Sequence, residues 1–150
     1  MIRLDGFSVA GISVRTNNRN NQSALDLGKL WETFYQESIA GRIAHKENDD
    51  IYVVYTDYAS DFTGDYTAII GHRVANANNQ PDGITSIYLP GATYQKFTSV
   101  GEMPQAAIEA WNFIWRNDTN LARKYSIDFE IYPASGAGSG NQKIEIFLAV

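Results

Sequence analysis

One carboxylate stands in a strand-like run of β-branched and aromatic residues, Ile127-Asp128-Phe129-Glu130-Ile131-Tyr132. A strand turns successive side chains to opposite faces, so Ile127, Phe129 and Ile131 share one face while Asp128, Glu130 and Tyr132 share the other. Glu130 is therefore an anion tethered to a sheet face. Among aromatic rings, such a carboxylate either raises its pKa and handles protons, or it awaits a cationic partner. An organic cation suits the second use. Its charge is spread and weakly hydrated, and each ring face adds roughly 0.5 to 2 kcal/mol of cation–π attraction. The structural alternatives for Glu130 are an ion pair with Arg123 or Lys124 and a solvated edge charge, the ordinary fate of a strand Glu.

Rings are plentiful: nine Tyr, seven Phe and three Trp make 13% of the 150 residues, against 19% charged. The charged share is below the roughly one quarter of an average soluble domain, so some aromatic surface is free for contact. Trp111 and Trp115 are four apart and share one helix face. Core packing is the ordinary role of such a stripe, for Trp115 above all. Tyr55 and Tyr94 fall in strand-like segments and join a stacking ring to a polar tip. Glu130, Trp111, Tyr55, Tyr94 and Trp115 are the candidate ligand-binding residues; no catalytic or metal-binding residue is assigned.

Other chemistry finds little support. Asp57, Asp61 and Asp65 lack the close alternation of oxygen ligands and the terminal Glu of a calcium loop, and read as a solvated loop. His45 and His72 stand alone, so a zinc site is not expected. Gly136-Ala137-Gly138-Ser139-Gly140 lacks the Gly-Lys-Ser/Thr ending of a phosphate loop and reads as a hairpin tip. The absence of cysteine excludes disulfides, thiolate ligands and thiol nucleophiles. No cofactor is expected. A net charge of -5 with scattered basic residues argues against nucleic acid as a partner. The first residues lack the apolar run of a signal peptide, and no apolar stretch reaches membrane-span length, so a cytoplasmic protein without membrane contact is expected.

These side chains need elements to hold them. The patterns predict strands over 7–14, 51–55, 66–74, 84–89, 93–98, 126–132 and 143–150. One helix opens at Ser23 as N-cap, carries the stripe Leu27, Leu30, Trp31 and Phe34, and stops at Gly41. A second opens at Pro104 and carries Ala107, Ile108, Trp111, Ile114 and Trp115. The order strand-helix-strand-strand thus occurs twice, in pseudo-repeats of about 5–75 and 84–150 within a single domain over 1–150. Residues 52–55 of the first correspond to 127–130 of the second. The fold class is α+β: antiparallel sheets, two main helices, pseudo-twofold symmetry and a central ligand cleft where the halves meet.

Seven stretches in order resemble the GyrI-like small-molecule-binding domains, which also serve as effector-binding parts of AraC-type and MerR-type regulators. They are Phe7–Thr16, Leu30-Trp31-Glu32-Thr33-Phe34, Ile51-Tyr52-Val53-Val54-Tyr55, 66–71, Pro90-Gly91-Ala92-Thr93-Tyr94, Trp111-Asn112-Phe113-Ile114-Trp115 and Asp128–Tyr132. Within that group the chain looks most like the stand-alone proteins of bacterial integron gene cassettes, associated with cationic drug-like ligands. The resemblance implies that Glu130 is the acidic residue of the ligand pocket and that the ligand is a lipophilic cation. Related regulators carry a DNA-binding segment ahead of this domain; here the domain starts almost at Met1, so no DNA-binding domain and no direct DNA contact are expected. A sensor or sequestering protein, working with a separate regulator protein, is the leading expectation. The alternatives are a hydrolase using Glu130 as acid-base catalyst, and regulation by direct protein contact, as in GyrI itself.

Overall fold

The computed structural model describes residues 1–134 and 142–150. The strands are β1 (Ile2–Leu4), β2 (Phe7–Thr16), β3 (Ile51–Thr56), β4 (Tyr66–Val74), β5 (Thr85–Leu89), β6 (Ala92–Gly101), β7 (Asp128–Tyr132) and β8 (Gln142–Ala149). The helices are α1 (Gln22–Gln36), the short α2 (Ile39–Arg42) and α3 (Gln105–Arg116). The expected hairpin tip at Gly136-Ala137-Gly138-Ser139-Gly140 lies outside the described residues.

The duplicated order has a direct spatial meaning. Among the described residues all eight strands join one antiparallel sheet in the order β1-β6-β8-β7-β3-β4-β2-β5. The half-sheet β7-β8-β6 mirrors β3-β4-β2 about the β7–β3 pair, and each half is flanked by the strand that leads the other repeat in sequence, β1 or β5. The halves therefore do not form two sheets side by side; they fuse along β3 and β7, with Val53 opposite Glu130 and Tyr55 opposite Asp128. Gly11 pairs directly with Gly71. A methyl group on either would overlap the facing carbonyl of Ile70 or Ala10, so this crossing tolerates no side chain.

The sheet divides the core. On the face without helices its curl buries Phe7, Tyr52, Tyr94, Phe129 and Phe147. Phe129 stacks on Phe147 with centroids 4.6 Å apart and planes 8° from parallel. Truncating a ring in such a stack costs about 3–5 kcal/mol, cavity included. On the other face α1 covers the β3–β4–β2 half through Leu27, Leu30, Trp31 and Phe34. There α3 covers Ile144, Ile146 and Leu148 of β8 through Ala107, Trp111, Ile114 and Trp115.

Several local expectations change. Helix α1 begins one residue before Ser23, and its N-cap is Asn21 in the left-handed region (φ 59°) without a side-chain cap. Asn tolerates that conformation, and a preceding 3₁₀ turn (Arg19–Asn21) delivers the chain there. Gly41 does not stop the helix. The break comes at Ser38 (φ 51°), after which Gly41 lies inside α2 and Ile39 is driven into the core. Pro104 sits at the N-cap of α3 rather than its first turn. Strand β7 starts at Asp128 because Tyr125 turns left-handed (φ 52°) just upstream. The edge strand β1, three residues long, is too short for any periodicity to announce. Among the described residues no helix is long and apolar enough to cross a membrane.

Candidate functional site

Strand alternation holds along β7. Phe129 enters the helix-free core, while Asp128, Glu130 and Tyr132 turn toward the helices. Two buried carboxylates thus lie on one strand face, two residues apart, at 0% and 2% exposure.

Asp128 is fully partnered. One oxygen accepts from the Arg123 guanidinium at 2.8 Å and from the Tyr58 hydroxyl at 2.6 Å, and the other accepts from the Ala149 amide at 2.8 Å. Arg123 also reaches Asp118 at 3.3 Å, and its side chain is 2% exposed. The ion pair considered for Glu130 therefore belongs to Asp128, because Arg123 approaches from the end of the strand. Lys124 takes no part either; its backbone amide donates to the Ala149 carbonyl.

Among the described residues Glu130 has only neutral hydrogen-bond partners. The Trp111 indole N–H donates to Oε2, and the Tyr132 hydroxyl donates to Oε1 at 3.3 Å. The Tyr55 hydroxyl lies close enough to act on the same carboxylate. None of the ion pairs among the described residues includes Glu130. Burial pushes its carboxyl up to about 7, against the downward pull of Trp111, Tyr55 and Tyr132. Burial, joined by the negative charge of Glu130, also holds the Tyr55 and Tyr132 hydroxyls well above their ordinary value, so both remain donors.

The surroundings are rings. Tyr55 meets Trp111 edge to face at 5.4 Å and Tyr66 at 5.7 Å. Tyr132 meets Trp31 at 5.3 Å. Trp111 and Tyr132 each pack against both helix-side clusters, the α1 half-core and the α3 half-core. The two side chains that hydrogen-bond Glu130 are thus also those that join the halves. The central cleft between α1 and α3 takes the form of an aromatic-filled seam with a carboxylate at its floor.

Of the five candidate residues, the structure brings together Glu130, Trp111 and Tyr55. Trp115 lies one turn farther along α3, 6.1 Å from Trp111, with its ring stacked on Phe62 at the outer end of the seam. Tyr94 does not join them. It is 2% exposed on the opposite sheet face, packed edge-on against Phe129 at 5.2 Å. Its strand position opposite Ala149, two residues from the Phe147–Phe129 pair, dictates that face. Missing from the candidates are Tyr132 and Trp31; alternation in β7 and the α1 stripe carried their signals. The acidic loop organises itself: Asp61 accepts from the Thr63 amide at 2.8 Å, and Asp65 pairs with Arg19 at 3.1 Å. Among the described residues no group of three His, Cys, Asp or Glu could hold a metal.

A duplicated half-barrel with a buried acid in an aromatic seam defines a GyrI-like effector-binding domain. The chain belongs to the family of integron-associated effector binding proteins, whose sequence model matches residues 1–150. It is 27% identical over 150 residues to a putative transcriptional regulator protein, YobU, of Bacillus subtilis, covering 98% of this chain and 94% of that one. Among solved structures, it resembles the integron cassette protein VCH_CASS2 from the mobile metagenome of Vibrio cholerae, at 29% identity and TM-score 0.77, covering 99% of this chain and 93% of that one. The fold is also that of SAV2435, solved bound to tetraphenylphosphonium, at 19% identity and TM-score 0.82, with 99% and 91% covered. These names describe effector-binding and regulator-like proteins rather than enzymes.

Proposed function

We propose that this protein captures lipophilic organic cations in the seam between α1 and α3, with Glu130 as counter-charge and Tyr55, Trp111 and Tyr132 as the ring walls. The observation that carries this reading is a buried carboxylate with two neutral hydrogen-bond donors, a third hydroxyl close by, and no cationic partner among the described residues. Leaving such a group ionised costs several kcal/mol, and a weakly hydrated cation offsets that cost without a large desolvation penalty of its own. Trp111 comes from a helix while the two tyrosines come from the sheet, so exchange of the indole N–H for the ligand is the simplest way to open the seam. Trp115 serves as an outer contact; Tyr94 lies on the wrong face to reach the ligand.

The ligand's role follows from the chain's balance. A net charge of -5 disfavours DNA, so sensing or sequestration is coupled to gene control through a separate regulator protein. The relative named as a transcriptional regulator supports that link. The hydrolase alternative rests on the same raised carboxyl beside two tyrosine hydroxyls, and it requires turnover of an electrophilic substrate that disappears in Glu130→Gln.

The test is a titration of Trp fluorescence at pH 8 with tetraphenylphosphonium and with neutral triphenylphosphine oxide. Saturable quenching by the cation alone, lost in Glu130→Gln, is the expected result. Equal responses to both compounds, or an unchanged affinity in the variant, would remove the charge mechanism.

A further inference from the structure

The seam has two unlike ends. At the Trp115 end it is stoppered: the Phe62 ring stacks on Trp115, and the Asn18 side-chain amide donates to the Phe62 carbonyl at 2.8 Å, which ties the loop after β3 to the approach of α1. At the other end, where β7 finishes and β3 begins, a groove of about 330 Å³ opens at the junction of α1 and α2. Its size falls at the lower end of the roughly 300–1,000 Å³ of small-molecule sites. Ile51, one of its walls, is the cross-strand partner of Tyr132, whose hydroxyl donates to Glu130. Tyr35, another wall, stacks on Trp31 at 5.9 Å with the planes 21° apart, and Trp31 in turn meets Tyr132 edge-on at 5.3 Å. Tyr132 and Trp31 therefore form the partition between groove and seam. The Tyr132 hydroxyl holds Glu130 at 3.3 Å, long for an O–H donor, so turning that ring aside sacrifices little.

The walls select what can enter. Phe34, Ala40 and Ile51 present apolar surface, and Tyr35, 64% exposed, has ring surface left to cover. Lys46 and Asp49, the charged walls, pair with each other at 3.3 Å and leave a ligand no unmatched charge. We propose that the groove is an outer subsite of the seam, taking a neutral aromatic arm of a ligand whose cationic head lies at Glu130. The ligand class is then lipophilic cations that carry an aryl group on a short flexible chain. Glu130 and Tyr132 are two residues apart on β7, roughly 7 Å, so a chain of a few carbons spans the partition. The subsite rests on Glu130 as counter-charge and adds the direction in which the ligand extends, because the Phe62 end is closed to it.

Calorimetric titration at pH 8 with butyltriphenylphosphonium and with (4-phenylbutyl)triphenylphosphonium tests this, since the two cations differ only in the ring at the end of the arm. The phenyl-bearing cation should bind roughly tenfold to a hundredfold more tightly, the worth of a buried phenyl ring. That ratio should collapse in Tyr35→Ala, which removes an exposed wall, and in Ala40→Phe, which puts a ring of the protein's own into the groove; Tyr35→Phe should keep it. An arm ending in ammonium, as in (4-aminobutyl)triphenylphosphonium, should gain nothing over butyl. Equal affinities for the first two cations, or a ratio that persists in both Tyr35→Ala and Ala40→Phe, overturn the subsite and leave Glu130 as counter-charge in place. Butyltriphenylphosphonium affinity unchanged in Glu130→Gln removes the counter-charge, and the subsite falls with it.

Discussion

Asp128 and Glu130 differ by one methylene and two positions on the same strand, face the same way and are equally hidden from water. Asp128 sits at the end of β7, where Arg123, Tyr58 and the Ala149 amide converge on it. Glu130 sits at the centre of the fused sheet, opposite Val53, where only rings and neutral donors approach. Burial alone therefore does not leave a carboxylate without a counter-charge. What separates the two is whether the protein supplies its own cation.

The comparison can be broken most forcefully at the structural end. Asp128→Asn leaves the Arg123 guanidinium buried without its counter-charge, and urea denaturation should show a loss of about 3–5 kcal/mol. A loss under 1 kcal/mol would mean that Asp118 suffices and that the contrast with Glu130 is weaker than the geometry indicates.

Glu130→Gln should act in the opposite sense, and only at high pH. The native carboxyl titrates at about 7, above its ordinary 4.5. The native state thus holds its proton where the unfolded chain has released it. Stability from this group is complete below pH 4.5, falls as pH rises toward 7 and levels off above, a total of about 3 kcal/mol. Wild type and variant should therefore match at pH 4, and the variant should be more stable by up to that amount at pH 8.5. Denaturation curves at the two pH values check the sign.

Binding sharpens the contrast further. If the cation meets only ionised Glu130, affinity should rise about tenfold per pH unit up to about 7 and level above it, as the ionised fraction does. Fluorescence titrations between pH 5 and 9 read this directly, and a flat profile would contradict it. The smallest effects belong to single hydroxyls. Tyr55→Phe removes one donor and should raise the Glu130 pKa further, with affinity at pH 7 falling a few fold. Tyr94→Phe, on the opposite face, should leave the titration unchanged.

Much of this contrast is legible in the letters. Period-two alternation in β7 places Asp128, Glu130 and Tyr132 on one side, and the two helical stripes place Trp31 and Trp111 above them. The partners of each carboxylate are not legible, because Arg123 and Tyr58 reach Asp128 from loops whose path depends on left-handed turns at Tyr125 and Asp57. Tyr94 shows a different limit. Its own strand alternates clearly, but its face relative to Glu130 is fixed through β8, and one step of register in either pairing would reverse it. The helix start at Asn21 was hidden for a local reason, since Ser23 offers the better side-chain cap and the chain uses backbone conformation instead.

The most direct measurement is the number of protons released when tetraphenylphosphonium binds, from calorimetric titrations at pH 7 in buffers of different ionisation enthalpy. With Glu130 titrating at about 7, roughly half a proton should leave per ligand bound, falling to none at pH 9 and to none at either pH in Glu130→Gln. Binding at pH 7 with no proton released, or the same release in the variant, would contradict Glu130 as the counter-charge.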